Sequence, residues 1–387
     1  MAKIQRFVKI RRFHTITHQE TIKPACQTPP QQKLHNLSML DHIIPNVHIP
    51  LVFFYKNYKS CDINILKKAL SKNLTQYYPF AGRYLNAPFS PHIHCNDEGV
   101  EFLEASIDIP LYDFVLKRDV DETILNKLIP NGLGCAVNKT SSNMLEVQLN
   151  HFPCSGAALA VSISHKVGDG LTMANFLSHW ATVTRGGLPI NPSFISSNIK
   201  DTANLLDFYG NNGKLLSKAI KKSAGSVQLS NLGLVVNMRE KISTSCPKAM
   251  AGNIFTTAIA KMIDSGEIQL NKVITSLRKD RLDIQGIRDV EEVGKMFLKT
   301  LSTLADDQNH RTYMCSSVCR FPFYQVDFGW GKPERVIIVT TGILGSSHFV
   351  VMDTASRDGI EAIVHLEEGE MAILQNHKEL LLYVEDN

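Results

Sequence analysis

The chain has 387 residues, 44% of them apolar, and a formal net charge of +4. That length and composition can bury a sizeable core and sit more comfortably in two domains than in one. No apolar run approaches the roughly 20 residues a membrane-spanning helix needs, and basic residues form no long tract, so a bilayer span and a nucleic-acid partner are both disfavoured.

The N-terminus, Met1-Ala2-Lys3-Ile4-Gln5-Arg6, is basic without the apolar segment and small-residue cleavage site of a secretory leader. The eight cysteines form no CxxC pair and no regular framework, which points to reduced thiols in a cytoplasmic protein. His14 and His18 fall in an alternating segment that reads as a strand, and His92 and His94 share one side of another short strand. The first pair could bind metal if it were helical, which this segment is not expected to be, and the second pair has no evident third ligand, so no metal is assigned.

Leu145 to Asn150 and Ala158 to Ser164 alternate as strands. After a glycine-containing loop, Leu171 to Thr184 takes helical spacing, with Met173, Leu177, Trp180, Ala181 and Thr184 on one stripe. Periodicity then disappears through Gly186-Gly187-Leu188-Pro189, Asn191-Pro192 and Ser196-Ser197-Asn198, where turn formers cluster. The boundary is placed there, giving an N-terminal domain over 1–190 and a C-terminal domain over 191–387. Past it, strands are expected at Leu232 to Asn237, Arg335 to Thr340, His348 to Asp353 and Glu361 to Leu366, followed by a helix from about Glu368 to the Leu380 region. Strands and helices alternate in both halves, which predicts an α/β architecture with helices covering the sheets.

The sharpest local feature is Ser162-Ile163-Ser164-His165-Lys166-Val167-Gly168-Asp169-Gly170, where a strand delivers a histidine into a glycine-containing turn before a helix. Neutral imidazole, with an ordinary pKa near 6.5, can take a proton from a hydroxyl at physiological pH, and a positioned base contributes ~10² to 10⁴ in rate. The HxxxD spacing alone is uninformative, being expected about 0.7 times by chance in this composition. Asp327-Phe328-Gly329-Trp330-Gly331 is different, since it should arise by chance about once in tens of thousands of such chains.

With HxxxD in mid-chain and DFGWG toward the C-terminus, in that order, the chain resembles the plant BAHD acyltransferases. The resemblance extends to Ile22-Lys23-Pro24, Leu37-Ser38-Met39-Leu40-Asp41, Tyr78-Pro79-Phe80-Ala81-Gly82-Arg83, Val236-Asn237-Met238-Arg239, Gly252-Asn253 and Asp358-Gly359-Ile360-Glu361. Its N-terminal third is closest to the vinorine-synthase-like acetyltransferases. The resemblance implies two chloramphenicol-acetyltransferase-like domains, each a mixed sheet flanked by helices, with a channel between them. It also implies acetyl-CoA or another acyl-CoA as co-substrate, a small-molecule alcohol as acceptor, no permanently bound cofactor and a monomer.

Position by position, it implies His165 as general base. Asp169 is structural, paired with Arg239 or capping the following helix. Asp327 is counted as a candidate site residue that fixes a turn near the CoA channel. Gly329 and Gly331 supply torsions closed to other residues, and Trp330 packs against the core or, as the lesser alternative, turns its indole N–H toward developing charge. One departure stands out: the passage between His165 and Asn237 is several tens of residues shorter than the family's, leaving a shortened crossover at about 191–230 in which Leu215 to Lys222 reads as a helix remnant. Besides an active O-acyltransferase, a truncated member that binds ligand without turnover and an enzyme of the wider superfamily acting on amines remain open.

Overall fold

The computed structural model describes residues 14–59, 62–86, 91–112, 122–132, 142–153, 155–195, 229–242, 249–263, 270–283, 287, 289–306, 310–339 and 347–377. Two mixed sheets organise them. The first has six strands in the spatial order His14–Ile22, Val100–Ile107, Leu145–His151, Ala157–Ser164, His48–Tyr55, Arg335–Ile338. The second has five, in the order Phe255–Ile263, Leu229–Asn237, His310–Ser317, Ser347–Asp353, Ile360–His365.

The strand His48–Tyr55 reads His-Ile-Pro-Leu-Val-Phe-Phe-Tyr, an almost unbroken apolar run, because the first sheet is buried on both faces. Leu51, Phe53 and Tyr55 enter the main core, while Val52 and Phe54 enter a second cluster with Leu125 and Leu128 from the helix Glu122–Leu128. Helices Ile63–Gln76 and Gly170–Thr184 pack over the main-core face. The stripe expected on the latter, Met173, Leu177, Trp180, Ala181 and Thr184, is buried throughout, and Trp180 Nε1 donates to the Leu66 carbonyl at 3.0 Å. Helices Leu270–Asp283 and Val290–Asp306 pack against the strand Phe255–Ile263 of the second sheet.

The strand expected to start at Arg335 exists as Arg335–Ile338, but it does not join the other strands of the C-terminal half. It runs antiparallel to His48–Tyr55, with Arg335 opposite Phe54 and Ile338 opposite Leu51, and closes the edge of the first sheet. A division of the sequence at 190/191 therefore does not describe the sheets. Period-2 alternation identifies a strand and says nothing about its neighbour; the partner is chosen by the DFGWG turn just before it, whose Phe328 and Trp330 are buried in the main core.

The expected strand positions elsewhere match to within a few residues. The final helix is Glu368–Gln375, and residues beyond 377 lie outside the described set, as do Leu215 to Lys222, most of the shortened crossover and Cys61, Cys135, Cys154 and Cys246. Cys26, Cys95, Cys315 and Cys319 are free thiols. Among the described residues, no helix is long and apolar enough to cross a membrane.

Candidate active site

His165 follows the last residue of the strand Ala157–Ser164, which is central in the first sheet, and its own N–H donates to the Val47 carbonyl at 2.8 Å. The turn that carries it is tight: a Cβ on Gly168 would lie 2.5 Å from Thr172 Cγ2. The imidazole is half-buried beside Phe255, whose ring centroid is 6.0 Å away. Nδ1 is buried and makes no hydrogen bond, which leaves Nε2 as the candidate nitrogen to face a substrate. Burial lowers the imidazole pKa below its ordinary value, against the opposing pull of Asp169, the residue's own carbonyl, Asn253 and Asp41. The ring is therefore a neutral base at pH 7.

Asp169 does both jobs weighed for it. Its Oδ1 caps the helix Gly170–Thr184, accepting from Thr172 N at 3.0 Å and Thr172 Oγ1 at 3.2 Å. The carboxylate also receives a two-pronged pair of bonds from Arg239, Nη1 to Oδ2 at 2.7 Å and Nη2 to Oδ1 at 3.0 Å, while Ile254 N donates to Oδ2 at 3.1 Å. Burial pushes the carboxyl upward, but the Arg239 charge and these hydrogen bonds outweigh it and leave the pKa below the ordinary value. Arg239 is itself 3% exposed and spends its remaining donors on the Met250 carbonyl at 3.1 Å, the Gly252 carbonyl at 2.9 Å and Thr172 Oγ1 at 3.0 Å. This clasp ties the His165 turn to the second domain.

Two neighbours escaped individual notice in the sequence. Asp41 closes a capping box on the helix Met39–Ile43, with Ser38 N donating to Oδ2 at 2.8 Å and Asp41 N to Ser38 Oγ at 3.2 Å. Its Oδ1 accepts Asn253 Nδ2 at 2.7 Å and Asn253 N at 3.3 Å, and the same Nδ2 donates to the His165 carbonyl at 2.8 Å. Lys166 is buried, with Nζ on the carbonyls of Asp41 at 2.8 Å and His42 at 3.2 Å, and burial brings its pKa down to about 8. The Ser-x-x-Asp spacing at 38 and 41 was the available sequence signal for Asp41; Asn253 entered only through the Gly252-Asn253 resemblance, and its contact with the His165 carbonyl spans 88 positions.

Asp327 does not stand with His165 and Asp169. Its Oδ1 accepts the N–H groups of Gly329 at 2.7 Å and Gly331 at 3.0 Å, and both glycines have positive φ, +96° and +85°. Phe328 and Trp330 are thereby driven into the first domain's core. Trp330 meets Tyr55 and Tyr58 edge-on with centroids 5.3 and 4.9 Å apart, and its Nε1 is buried without a partner, so the residue packs and does not present a donor to a reacting atom. Tyr55 ends the same strand that begins at His48, which pairs with Ser164 beside His165. Seven residues of extended chain separate the two ends, about 23 Å at ~3.3 Å per residue. The DFGWG turn, with Phe328 and Trp330 in the core, lies toward the end of that strand away from the histidine, and Asp327 fixes the turn.

His18 lies beside Glu20 and Glu104, and Lys67 Nζ bonds these two carboxylates at 2.5 and 2.6 Å, so a lysine already compensates the acidic pair. His92 and His94 sit on a small three-stranded sheet with Leu34–Asn36 and Arg83–Leu85.

The family model described as the Transferase family matches residues 14–205 and 214–381. The chain belongs to this family, the BAHD acyltransferases. Among BAHD relatives, akuammiline synthase 1 of Alstonia scholaris is 32% identical over 419 residues, spanning 93% of this chain and 95% of that protein. Stemmadenine O-acetyltransferase of Catharanthus roseus is 29% identical over 420 residues, spanning 93% and 96%. The crystal structure of vinorine synthase superposes with a TM-score of 0.77 at 26% identity, covering 97% of this chain and 99% of that one. Alignments longer than the 387-residue chain mean that some of the relatives' residues face gaps here, and the family match is itself interrupted between 205 and 214. This BAHD member is an acyl-CoA-dependent acyltransferase.

Proposed function

We propose that the chain acetylates a hydroxyl of a plant specialised metabolite, an alkaloid or terpenoid alcohol, using acetyl-CoA as donor and His165 as general base. The observation that carries this reading is the placing of His165: it follows a central strand into a tight turn beside Phe255, its Nδ1 is buried, and burial lowers the imidazole pKa below its ordinary value. In the reaction, Nε2 accepts the hydroxyl proton as the alcohol oxygen attacks the thioester carbonyl. The tetrahedral intermediate collapses with cleavage of the C–S bond, and the proton held on Nε2 passes to the departing thiolate. The products are an ester and free CoA, with no covalent enzyme intermediate. Binding both substrates beside one fixed nitrogen supplies the orientational part of the rate enhancement.

Asp169 and Asp327 take no proton in this scheme. The first is held by Arg239 and a helix N-terminus, the second by two glycine N–H groups. The acceptor class is supported by the names of the relatives, among them an O-acetyltransferase acting on stemmadenine. Incubation of the purified chain with acetyl-CoA and a panel of alkaloid and terpenoid alcohols, with ester detected by mass spectrometry, tests the proposal. Ester formed by the native chain and lost in His165→Ala is expected; equal ester from both would remove His165 as the base.

A further inference from the structure

The turn after the strand Ala157–Ser164 carries His165 and, next to it, a buried lysine with no part in the proton transfer. We infer that Lys166 is a positioning residue for the reaction: its ammonium group closes a ring of contacts through Asp41 and Asn253 that fixes the His165 peptide against the short helix Met39–Ile43. This rests on His165 being the base.

The end of that helix creates the demand that Lys166 meets. The chain turns extended at Ile44, with ψ 130°, and the next residue is Pro45, which has no N–H to return to the Asp41 carbonyl one turn back. Lys166 Nζ supplies the donors instead, to the Asp41 carbonyl at 2.8 Å and the His42 carbonyl at 3.2 Å. It also lies over the Tyr84 ring, 5.3 Å from the centroid, in the strand Arg83–Leu85. The side chain is 4% exposed, and the Asp41 carboxylate that attracts its charge is bonded to Ser38 and Asn253. Packing alone does not call for this arrangement, because methionine would fill nearly the same space without a charge to desolvate. Burial brings the ammonium pKa down to about 8, which is the cost of placing these donors inside the protein.

Asp41 thereby grips the histidine turn twice. Its carboxylate accepts Asn253 Nδ2 at 2.7 Å, and the same Nδ2 donates to the His165 carbonyl at 2.8 Å. Its own carbonyl accepts Lys166 Nζ, from a residue 125 positions away that is bonded directly to His165. The peptide between His165 and Lys166 is fixed at its nitrogen too, which donates to Ser164 Oγ at 3.3 Å. The segment after the helix completes the brace: Val47 N donates to the Pro45 carbonyl at 2.8 Å, and the Val47 carbonyl accepts His165 N at 2.8 Å. Every backbone polar atom flanking the imidazole is thus tied, directly or through one side chain, to the turn itself or to residues 41–47. Removing the ammonium group opens the ring at the residue next to the base, and a misplacement of about 1 Å is enough to cost ~100-fold in rate.

The test compares the purified native chain with Lys166→Met, which keeps the volume and loses the donors, and Lys166→Arg, which keeps donors and charge. With acetyl-CoA and an alcohol of the panel that the native chain esterifies, Lys166→Met should lower kcat about 10- to 100-fold, while the KM values for both substrates stay within about twofold. Lys166→Arg should keep at least about a third of the native kcat. Hydrogen exchange at the His165 amide, which is bonded to Val47, should quicken about tenfold or more in Lys166→Met and stay near native in Lys166→Arg. Should Lys166→Met fail to fold, Lys166→Gln, neutral and too short to reach both carbonyls, is read in the same way. Native kcat with native exchange in the donor-free variant would overturn the inference, and so would a loss confined to KM. The exchange measurement needs no turnover, so a chain whose His165→Ala form still makes ester would refute the base while leaving the hold of Lys166 on the turn readable by itself.

Discussion

Replacing Asp169 by Asn removes one charge of a buried pair while keeping the size of the side chain and an oxygen able to cap Thr172 N. Arg239, 3% exposed, is left with neutral partners, among them the Met250 and Gly252 carbonyls, Thr172 Oγ1 and Asn237 Oδ1. Breaking such a pair from one side costs about 3–5 kcal/mol, a large share of the ~5–15 kcal/mol by which a folded domain is stable. Arg239→Met should cost a similar amount, but removing both charges together should cost less than the two single losses combined, with a coupling of about 2–3 kcal/mol. Urea unfolding of the native chain, the two single variants and the double variant at pH 7 measures this directly. The coupling has a pH signature as well. The folded pKa of Asp169 lies below its unfolded value of 3.8, so its contribution is full above that value and disappears as pH falls through the folded one. Native and Asp169→Asn stabilities should therefore converge below about pH 4. Losses that add within ~0.5 kcal/mol would refute the clasp. So would an Asp169→Asn protein of native stability that had lost turnover, because the carboxylate would then belong to the chemistry.

Burial keeps the His165 pKa under 6.5, so kcat/KM should hold its plateau down to about that pH and decline only below it; a plateau reached only above about pH 7.5 would contradict a neutral buried base. Trp330→Ala should destabilise the chain by about 3–5 kcal/mol through the cavity left among Tyr55, Tyr58 and Phe328. Trp330→Phe should cost much less, since Nε1 has no bond to lose, and thermal unfolding together with the pH profile of the folded variants should show that neither moves the acid limb. Gly329→Ala and Gly331→Ala each meet open space, so their expected cost of about 1–2 kcal/mol comes from the positive φ alone, which denaturant titration can resolve.

What could be read along the chain were features that are themselves local. The helix stripe from Met173 to Thr184 follows from 3.6-residue spacing, the strands on either side of it from alternation, and His165 was singled out because a strand, a glycine turn and a helix meet there. DFGWG was legible as a motif because its composition is improbable, and its turn role follows from glycines that can take positive φ beside a carboxylate that can accept their N–H groups.

Tertiary structure decided what depends on long separations. Alternation cannot say which sheet a strand enters, and Arg335–Ile338 crosses to the first sheet because Phe328 and Trp330 anchor the preceding turn beside Tyr55. The same packing puts Asp327 at the far end of the strand from His165. Asp41 and Asn253 are 212 positions apart and meet only because the two domains close around the His165 turn, leaving a buried amide whose hydrogen-bonding needs can be met in one orientation. Periodicity encodes which face of an element is apolar; which buried polar atoms find partners is settled only when all the elements are in place.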